Sequence, residues 1–243
     1  RRQRQMCIRD SNGIEAAVSE KMKSERFRTE LITNVSHDIK TPLTSIINYV
    51  DLLQKEDIDN EKVREYLDVL DRQSSRLKKL IQDLLEASKA STGSINVELE
   101  ELDAAVMLSQ VAGEYEEKFK KNNLDLIIKN DVTPVMIQAD GRHLWRVFDN
   151  LMNNINKYAQ PCTRVYIDII PKDSGAIITF KNVSATPLNI SSDELKERFV
   201  RGDSSRNTEG SGLGLSIAES LMKLMNGTLE LTVDGDLFKV TLE

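Results

Sequence analysis

Residues 35–43 read Val35-Ser36-His37-Asp38-Ile39-Lys40-Thr41-Pro42-Leu43. They lie within a run of apolar positions, Ile32, Val35, Ile39, Pro42, Ile46, Tyr49 and Leu53, that recur at alternating steps of three and four. That alternation is the seam of a coiled coil, so the spacing predicts a long helix packed against another. His37 falls between seam positions, on the face turned away from them. An imidazole placed there stays solvated, titrates near its reference pKa of about 6.5 and is mostly uncharged at neutral pH, so it can act as a nucleophile. Asp38, about 100° further around the helix axis, can accept the Nδ1 proton and leave Nε2 free to attack. Pro42 has no N–H to offer the carbonyl of Asp38, which predicts a kink beside His37. Taken alone, the same residues also fit a solvent-facing histidine on a helix that Pro42 merely bends, and the rest of the chain has to decide.

The chain has 243 residues, enough for one or two domains with a buried core. Lys and Arg number 33 against 39 Asp and Glu, a formal charge of -6, and no basic patch is interleaved with aromatic residues. Nucleic acid is therefore not an expected partner. Cys7 and Cys162 lie far apart with no metal-ligand spacing around them, so they read as reduced thiols in a cytosolic setting rather than as a disulfide framework. No uncharged run approaches the roughly 18 apolar residues of a membrane helix, so this piece reads as soluble. Its opening, Arg1-Arg2-Gln3-Arg4-Gln5-Met6, clusters arginines as expected just inside a membrane span, although a tag scar or an internal linker has the same look.

From about Glu15 to Lys55 the pattern stays helical, interrupted by Pro42 alone. A polar turn at Asp57 to Asn60 follows, in which Asp59 or Asn60 can cap a second helix. There Val63, Leu67, Leu70, Ser74, Leu77, Ile81, Leu84 and Ser88 keep the three-four alternation until Gly93. Two such helices form a hairpin that exposes half of its seam unless another copy covers it, so a four-helix bundle built from two chains is the expected solution. After Gly93 the period changes. Leu124–Lys129, Arg164–Ile170, Ala176–Asn182, Thr228–Val233 and Leu237–Leu242 read as strands, the last two joined by the hairpin signal Asp234-Gly235. Helical patterns at Leu102–Asn122, Arg142–Tyr158 and Leu213–Met225 lie between them, which predicts an α+β layer, one sheet covered on one face by helices. Gly93 to Ser94 is the expected joint between the two parts.

Three features of the second part point to phosphate chemistry. Gly210, Gly212 and Gly214 alternate at the entry of a helix, where backbone can approach a ligand and unpaired N–H groups meet the positive dipole end. Their spacing fits neither the dinucleotide-binding fingerprint nor a P-loop. Asn150 and Asn154 stand four apart, so both amides project from one helix face, and amide oxygens are hard ligands suited to Mg²⁺. Asn153 and Asn156 flank them off that face, and Lys157 can reach a phosphate as a point charge. Between Gly202 and Gly210 there is no apolar side chain, so the segment reads as a mobile lid with Phe199 and Arg201 at its entrance. Arg201 fits two roles equally, steadying a phosphate or pairing with a surface acid. His143, beside Trp145, reads as structural rather than catalytic.

Together these residues resemble a family. His37-Asp38 with Thr41-Pro42 is similar to the H-box of sensor histidine kinases. Asn150, Asn154, Lys157 and Tyr158 resemble their N-box, Phe199 and Arg201 their F-box, and Gly210, Gly212 and Gly214 their second glycine box. The resemblance runs from Phe27 onward. It implies a linker or signalling helix over residues 1–26, a dimerisation and histidine-phosphotransfer hairpin over 27–93, and a Bergerat-type ATP-binding domain of the GHKL class, an α/β sandwich, over 94–243. It implies a protein-histidine kinase in which His37 accepts the γ-phosphoryl group of Mg-ATP and passes it to an aspartate in the receiver domain of a response regulator, with Asp38 as the base. Asn154, assisted by Asn150, would bind Mg²⁺. Lys157, Tyr158, Asn182, Phe199, Arg201, Gly210, Gly212, Leu213 and Gly214 would line the ATP site. Thr41, one turn beyond His37, matches the position that orients water for dephosphorylating the regulator. The setting it implies is the cytoplasmic portion of a membrane-bound bacterial sensor that works as a homodimer.

Two positions depart from the pattern. Where the family has Asp-x-Gly-x-Gly against adenine, this chain reads Asn182-Val183-Ser184-Ala185-Thr186. Asn182 offers the adenine amino group a neutral acceptor, and loss of both glycines should stiffen the turn. Arg146 replaces an acid that many relatives carry near the metal, which implies weaker Mg²⁺ binding. The alternative function is a dimeric scaffold or phosphatase that binds a response regulator and turns over little ATP.

Overall fold

The computed structural model describes residues 39–40, 43–56, 60–91, 93–130, 134–173, 175–188 and 212–243. Backbone contacts divide the chain into two compact units, with the division between Ser94 and Ile95.

In the first unit, helix α1 covers residues 43–55, with residues 39–40 also helical, and α2 spans Glu61–Ser91. Asn60 caps α2. Its Oδ1 accepts from the backbone N–H groups of Lys62 at 3.1 Å and Val63 at 3.3 Å, satisfying donors that a helix start leaves open. At the other end the Ser94 N–H donates to the Lys89 carbonyl at 3.0 Å and closes the last turn. The side chains of Gln54 and Asp68 join the two helices by a 3.3 Å hydrogen bond.

On α2 the expected seam positions Leu67, Ser74, Ile81 and Ser88 are buried, but on α1 the buried residues are Leu43 and Val50, one position beyond the expected Pro42 and Tyr49, and Tyr49 is 67% exposed, so the seam there steps Ile39, Leu43, Ile46, Val50, Leu53. Ile39, Ile46 and Leu53, with Leu70 and Leu77, remain 40–50% exposed. Each helix of the hairpin thus covers one heptad row and leaves a second row of large aliphatic side chains in water, as expected of half a bundle.

The second unit runs β1 (Glu100–Asp103), α3 (Ala104–Lys121), β2 (Asp125–Asn130), β3 (Met136–Ala139), α4 (Gly141–Tyr158), β4 (Arg164–Lys172), β5 (Gly175–Val183), α5 (Gly214–Leu224), β6 (Leu229–Asp234) and β7 (Leu237–Leu242). Its main sheet has the order β2-β4-β5-β7-β6; β2 and β4 are parallel and the other pairs antiparallel. Gly235, at φ +58°, supplies the left-handed residue of the tight β6–β7 turn. The five expected strands and three expected helices are all present, with ends moved by two residues at most. The expected helix from Leu102 begins at Ala104 instead, because Leu102 lies in β1, which pairs with β3 as a separate two-stranded sheet. Both of these strands have only four residues, too short for alternation to show in the sequence.

One face of the main sheet carries the core. Ile167 and Ile169 of β4, Ile178 and Phe180 of β5, and Val240 and Leu242 of β7 are buried in register. Val147, Phe148, Leu151, Met152 and Ile155 of α4 and Ile217 and Leu221 of α5 are also buried. The Phe148 and Phe180 rings meet at 5.9 Å and fasten α4 to the centre of the sheet. Fully burying each such side chain contributes about 1.5–3 kcal/mol, so α4 is held in place by its apolar face while its opposite face remains available.

Candidate functional site

Helix α4 carries the site, and its start is fixed first. Asp140 caps it, accepting from the N–H groups of Arg142 at 3.0 Å and His143 at 3.2 Å, while its other oxygen accepts from Glu98 N–H at 3.0 Å. Burial of this carboxyl favours its protonated form, but those N–H groups and the adjacent His143 ring outweigh burial and hold its pKa below the ordinary value. The His143 Nε2 lies 3.2 Å from the Asn96 carbonyl. His143 is therefore a structural residue fastening the segment before β1 to the head of α4, in agreement with the sequence reading.

The far end of α4 is tied to the turn after β5. Ala185 N–H donates to the Tyr158 carbonyl at 2.8 Å, Gln160 N–H to the Val183 carbonyl at 2.8 Å, and Ala159 bridges Ser184. Asn182, 4% exposed, projects from β5 on the same face as Phe180 and Ile178, toward the helical layer, and its amide nitrogen donates to the Val183 carbonyl. The turn that lacks the two expected glycines closes through a side chain: the Ser184 hydroxyl donates to the Thr186 carbonyl at 2.7 Å and accepts from Thr186 N–H. No residue from 182 to 188 adopts a left-handed φ, so this turn needs no glycine.

Two turns back along α4, Asn150 meets the glycine-rich helix entry. A methyl group placed on Gly214 would lie 3.5 Å from Asn150 Oδ1. The Asn150 amide nitrogen is buried and lacks a hydrogen-bond partner. Gly212, at φ +72°, turns the chain into α5, and Leu213, 1% exposed, locks that entry into the core. No side chain caps α5. Asn154, half-buried, lies midway between Asn150 and Tyr158 on one stripe of the helix. Lys157 is half-buried on the same side.

The structure thus brings Asn150, Asn154, Lys157, Tyr158, Asn182, Gly212, Leu213 and Gly214 into one region of the second unit. His37, Asp38, Thr41, Phe199, Arg201 and Gly210 lie outside the described residues, as do Cys7 and the expected lid; Cys162 is exposed and free.

One network has no counterpart among the sequence expectations. Tyr115 of α3, 3% exposed, donates its hydroxyl to Asp149 Oδ1 at 2.6 Å, and Arg146 Nη1 contacts Asp149 Oδ2 at 3.4 Å. Burial, and then the bond to Asp149, push the Tyr115 phenol well above its usual range, so it stays a donor. Asn122 also donates to Asn156. Pairings 34 residues apart leave no local signal in the sequence.

The residues fit a nucleotide phosphate and its ion. An amide donor buried without a partner costs about 1–3 kcal/mol, and a phosphate oxygen would supply the missing acceptor. The uncapped N–H groups of α5 favour negative charge, and neutral amide oxygens suit a hard cation that keeps several waters.

Two family models match the chain: His Kinase A (phospho-acceptor) domain over residues 27–93, and Histidine kinase-, DNA gyrase B-, and HSP90-like ATPase over residues 139–243. Sensor protein VanSC of Enterococcus gallinarum is 31% identical over 210 residues, covering 85% of this chain and 58% of its own length. Sensor protein kinase WalK of Staphylococcus aureus is 29% identical over 218 residues, covering 87% of this chain and 52% of its own length. The chain therefore spans little more than half the length of these relatives. Among solved structures, ShkA full-length in complex with AMPPNP superposes with a TM-score of 0.75 at 22% identity, over 88% of this chain and 45% of that one. Acinetobacter baumannii histidine kinase AdeS superposes with a TM-score of 0.61 at 18% identity, over 85% of this chain and 95% of that one. At these identities the superpositions speak to the fold. Among the described residues no helix is long and apolar enough to cross a membrane.

Proposed function

Because this chain belongs to the sensor histidine kinases of two-component systems, with the phospho-acceptor and ATPase modules in that order, we propose that it phosphorylates His37 from Mg-ATP and passes the phosphoryl group to a response regulator. The observation that carries this reading is the path of α4, whose stripe of Asn150, Asn154 and Tyr158 runs from the α5 entry at Gly214 to the turn beyond Asn182.

Along that stripe the adenine binds at the Asn182 turn and the phosphates at Gly212, Leu213 and Gly214, with Lys157 as a point charge and Phe199, Arg201 and Gly210 contributed by the segment before α5. Asn154, with Asn150 assisting, would hold Mg²⁺ through its amide oxygen, and the ion would supply charge neutralisation at the phosphate oxygens. Asp38 takes the Nδ1 proton of His37 as Nε2 attacks the γ-phosphorus; the bond to the bridging oxygen breaks and ADP leaves. In the second step a carboxylate oxygen of the regulator's aspartate attacks the phosphorus and the imidazole leaves. Thr41 positions water for the reverse task of regulator dephosphorylation.

The domains divide as 1–26, 27–93 and 94–243, and the hairpin pairs with that of a second copy. The uncovered rows at Ile39, Ile46, Leu53, Leu70 and Leu77 support that pairing. The scaffold alternative gains nothing from the altered adenine turn, which keeps its shape through Ser184 rather than through glycine.

The test is incubation with γ-labelled Mg-ATP. The native chain acquires acid-labile phosphate and His37→Gln does not; equal labelling of the two removes the assignment.

A further inference from the structure

Resting on the nucleotide reading above, we propose that Asn182 sets the base preference of the site as a neutral amide held in one orientation. Its Oδ1 accepts from the exocyclic amino group of the purine, so a purine with a carbonyl oxygen at that place binds less well, and a carboxylate in place of the amide weakens binding rather than restoring it. The orientation follows from the chain itself. Asn182 Nδ2 lies 3.2 Å from the Val183 carbonyl oxygen. Only the nitrogen end of an amide can stand there, because the oxygen end would set two acceptors against each other. That carbonyl cannot turn away, since its second lone pair accepts from the Gln160 N–H at 2.8 Å, just past the end of α4. With Nδ2 committed, Oδ1 is the end left for a ligand, and no described residue donates to it.

The surroundings disfavour a charge at this position. Asn182 is 4% exposed and shares its face of β5 with Phe180 and Ile178, and the residue opposite it on β7 is Phe238. The neighbouring Lys181 projects to the other face of the sheet, where Asp168 holds its Nζ at 2.6 Å, and Lys239, opposite Lys181 on β7, shares that outer face. A carboxylate in the Asn182 place would lose its hydration and would meet the pinned Val183 carbonyl as a second acceptor. The amide is satisfied by that same carbonyl and still presents one acceptor outward. Recognition through a neutral acceptor is weaker than through a charged one, so the preference for an amino-bearing purine is moderate rather than absolute.

Calorimetric titration of the full chain in a His37→Gln background tests this without turnover, using Mg-ATP and separately Mg-inosine triphosphate, whose base carries a carbonyl oxygen where adenine has its amino group. The parent binds ATP about tenfold more tightly than inosine triphosphate. Asn182→Leu, which keeps the volume and removes both polar ends, binds the two within about twofold of each other. Asn182→Asp binds ATP about tenfold more weakly than the parent. A parent that binds the two nucleotides equally, or prefers inosine triphosphate, overturns the acceptor role. An Asn182→Leu chain that keeps the full preference removes Asn182 from base recognition, and an Asn182→Asp chain that binds ATP as tightly as the parent overturns the need for an amide. Circular dichroism verifies that each variant has folded, and where one has not, the comparison of nucleotides on the parent still decides. A parent chain that binds neither nucleotide sinks the underlying site reading instead.

Discussion

Replacing Leu70 and Leu77 together by alanine is expected to break the dimer of hairpins while leaving each hairpin folded. The two side chains are 50% and 44% exposed in the single chain, so about half of each remains to be covered by a partner. Leucine to alanine removes three carbons, worth about 0.8 kcal/mol each when fully buried, or about 2.4 kcal/mol per residue. Scaled by the exposed fraction, the loss is about 1.2 kcal/mol at Leu70 and about 1.1 kcal/mol at Leu77. A symmetric pair of chains loses both twice, about 4.5 kcal/mol, which weakens association by a factor on the order of a thousand. Sedimentation equilibrium across a range of protein concentrations measures this directly, and circular dichroism verifies that the helices persist. The control is Ile170→Ala, a residue on β4 that is 55% exposed and belongs to the other unit; it leaves association unchanged. A double variant that dimerises as tightly as the parent, or a parent that is monomeric at tens of micromolar, refutes the argument that these rows are the uncovered half of a bundle.

Asp140→Ala removes a helix cap and strands the Glu98 N–H, and should cost about 1–3 kcal/mol at neutral pH. Because the folded carboxyl titrates below its ordinary value, its stabilisation is present above the unfolded pKa and fades as pH falls through the folded one, so wild type and variant converge below about pH 4 in thermal unfolding. Tyr115→Phe should lower stability by about 1–3 kcal/mol through loss of a hydrogen bond to a charged acceptor. In alkaline spectrophotometric titration of the native protein it should leave the count of phenols ionising before unfolding unchanged, since Tyr115 itself is held above the usual range. Gly212→Ala forces a Cβ into a left-handed conformation at φ +72° and should destabilise by about 1 kcal/mol, read as a lower denaturation midpoint in urea.

Much of this was legible because it is periodic or local. The heptad of Leu67, Ser74 and Ile81, a cap at Asp59 or Asn60 and the Asp234-Gly235 turn each announce themselves within a few residues, and the helical spacing of Asn150 and Asn154 puts two amides on one face. What escaped detection is short or distant. β1 and β3 have four residues each and stabilise one another across a sequence gap of over thirty, and Tyr115 finds Asp149 at a similar remove. The Asn182 turn was a different case. Its missing glycines suggested a stiffened and reshaped pocket, but the structure shows a turn whose backbone never enters the region only glycine favours, because the Ser184 hydroxyl completes it.

That same turn bears on chemical selectivity. A pocket rim of glycines presents bare peptide, to which a flat inhibitor can press closely. In this chain the rim carries the methyl of Ala185 and the side chain of Thr186, both turned to water. With the nucleotide site as proposed above, a compound shaped for a bare rim would lose its closest approach here, and one tipped with a small hydrophobic group would gain a surface that glycine does not provide.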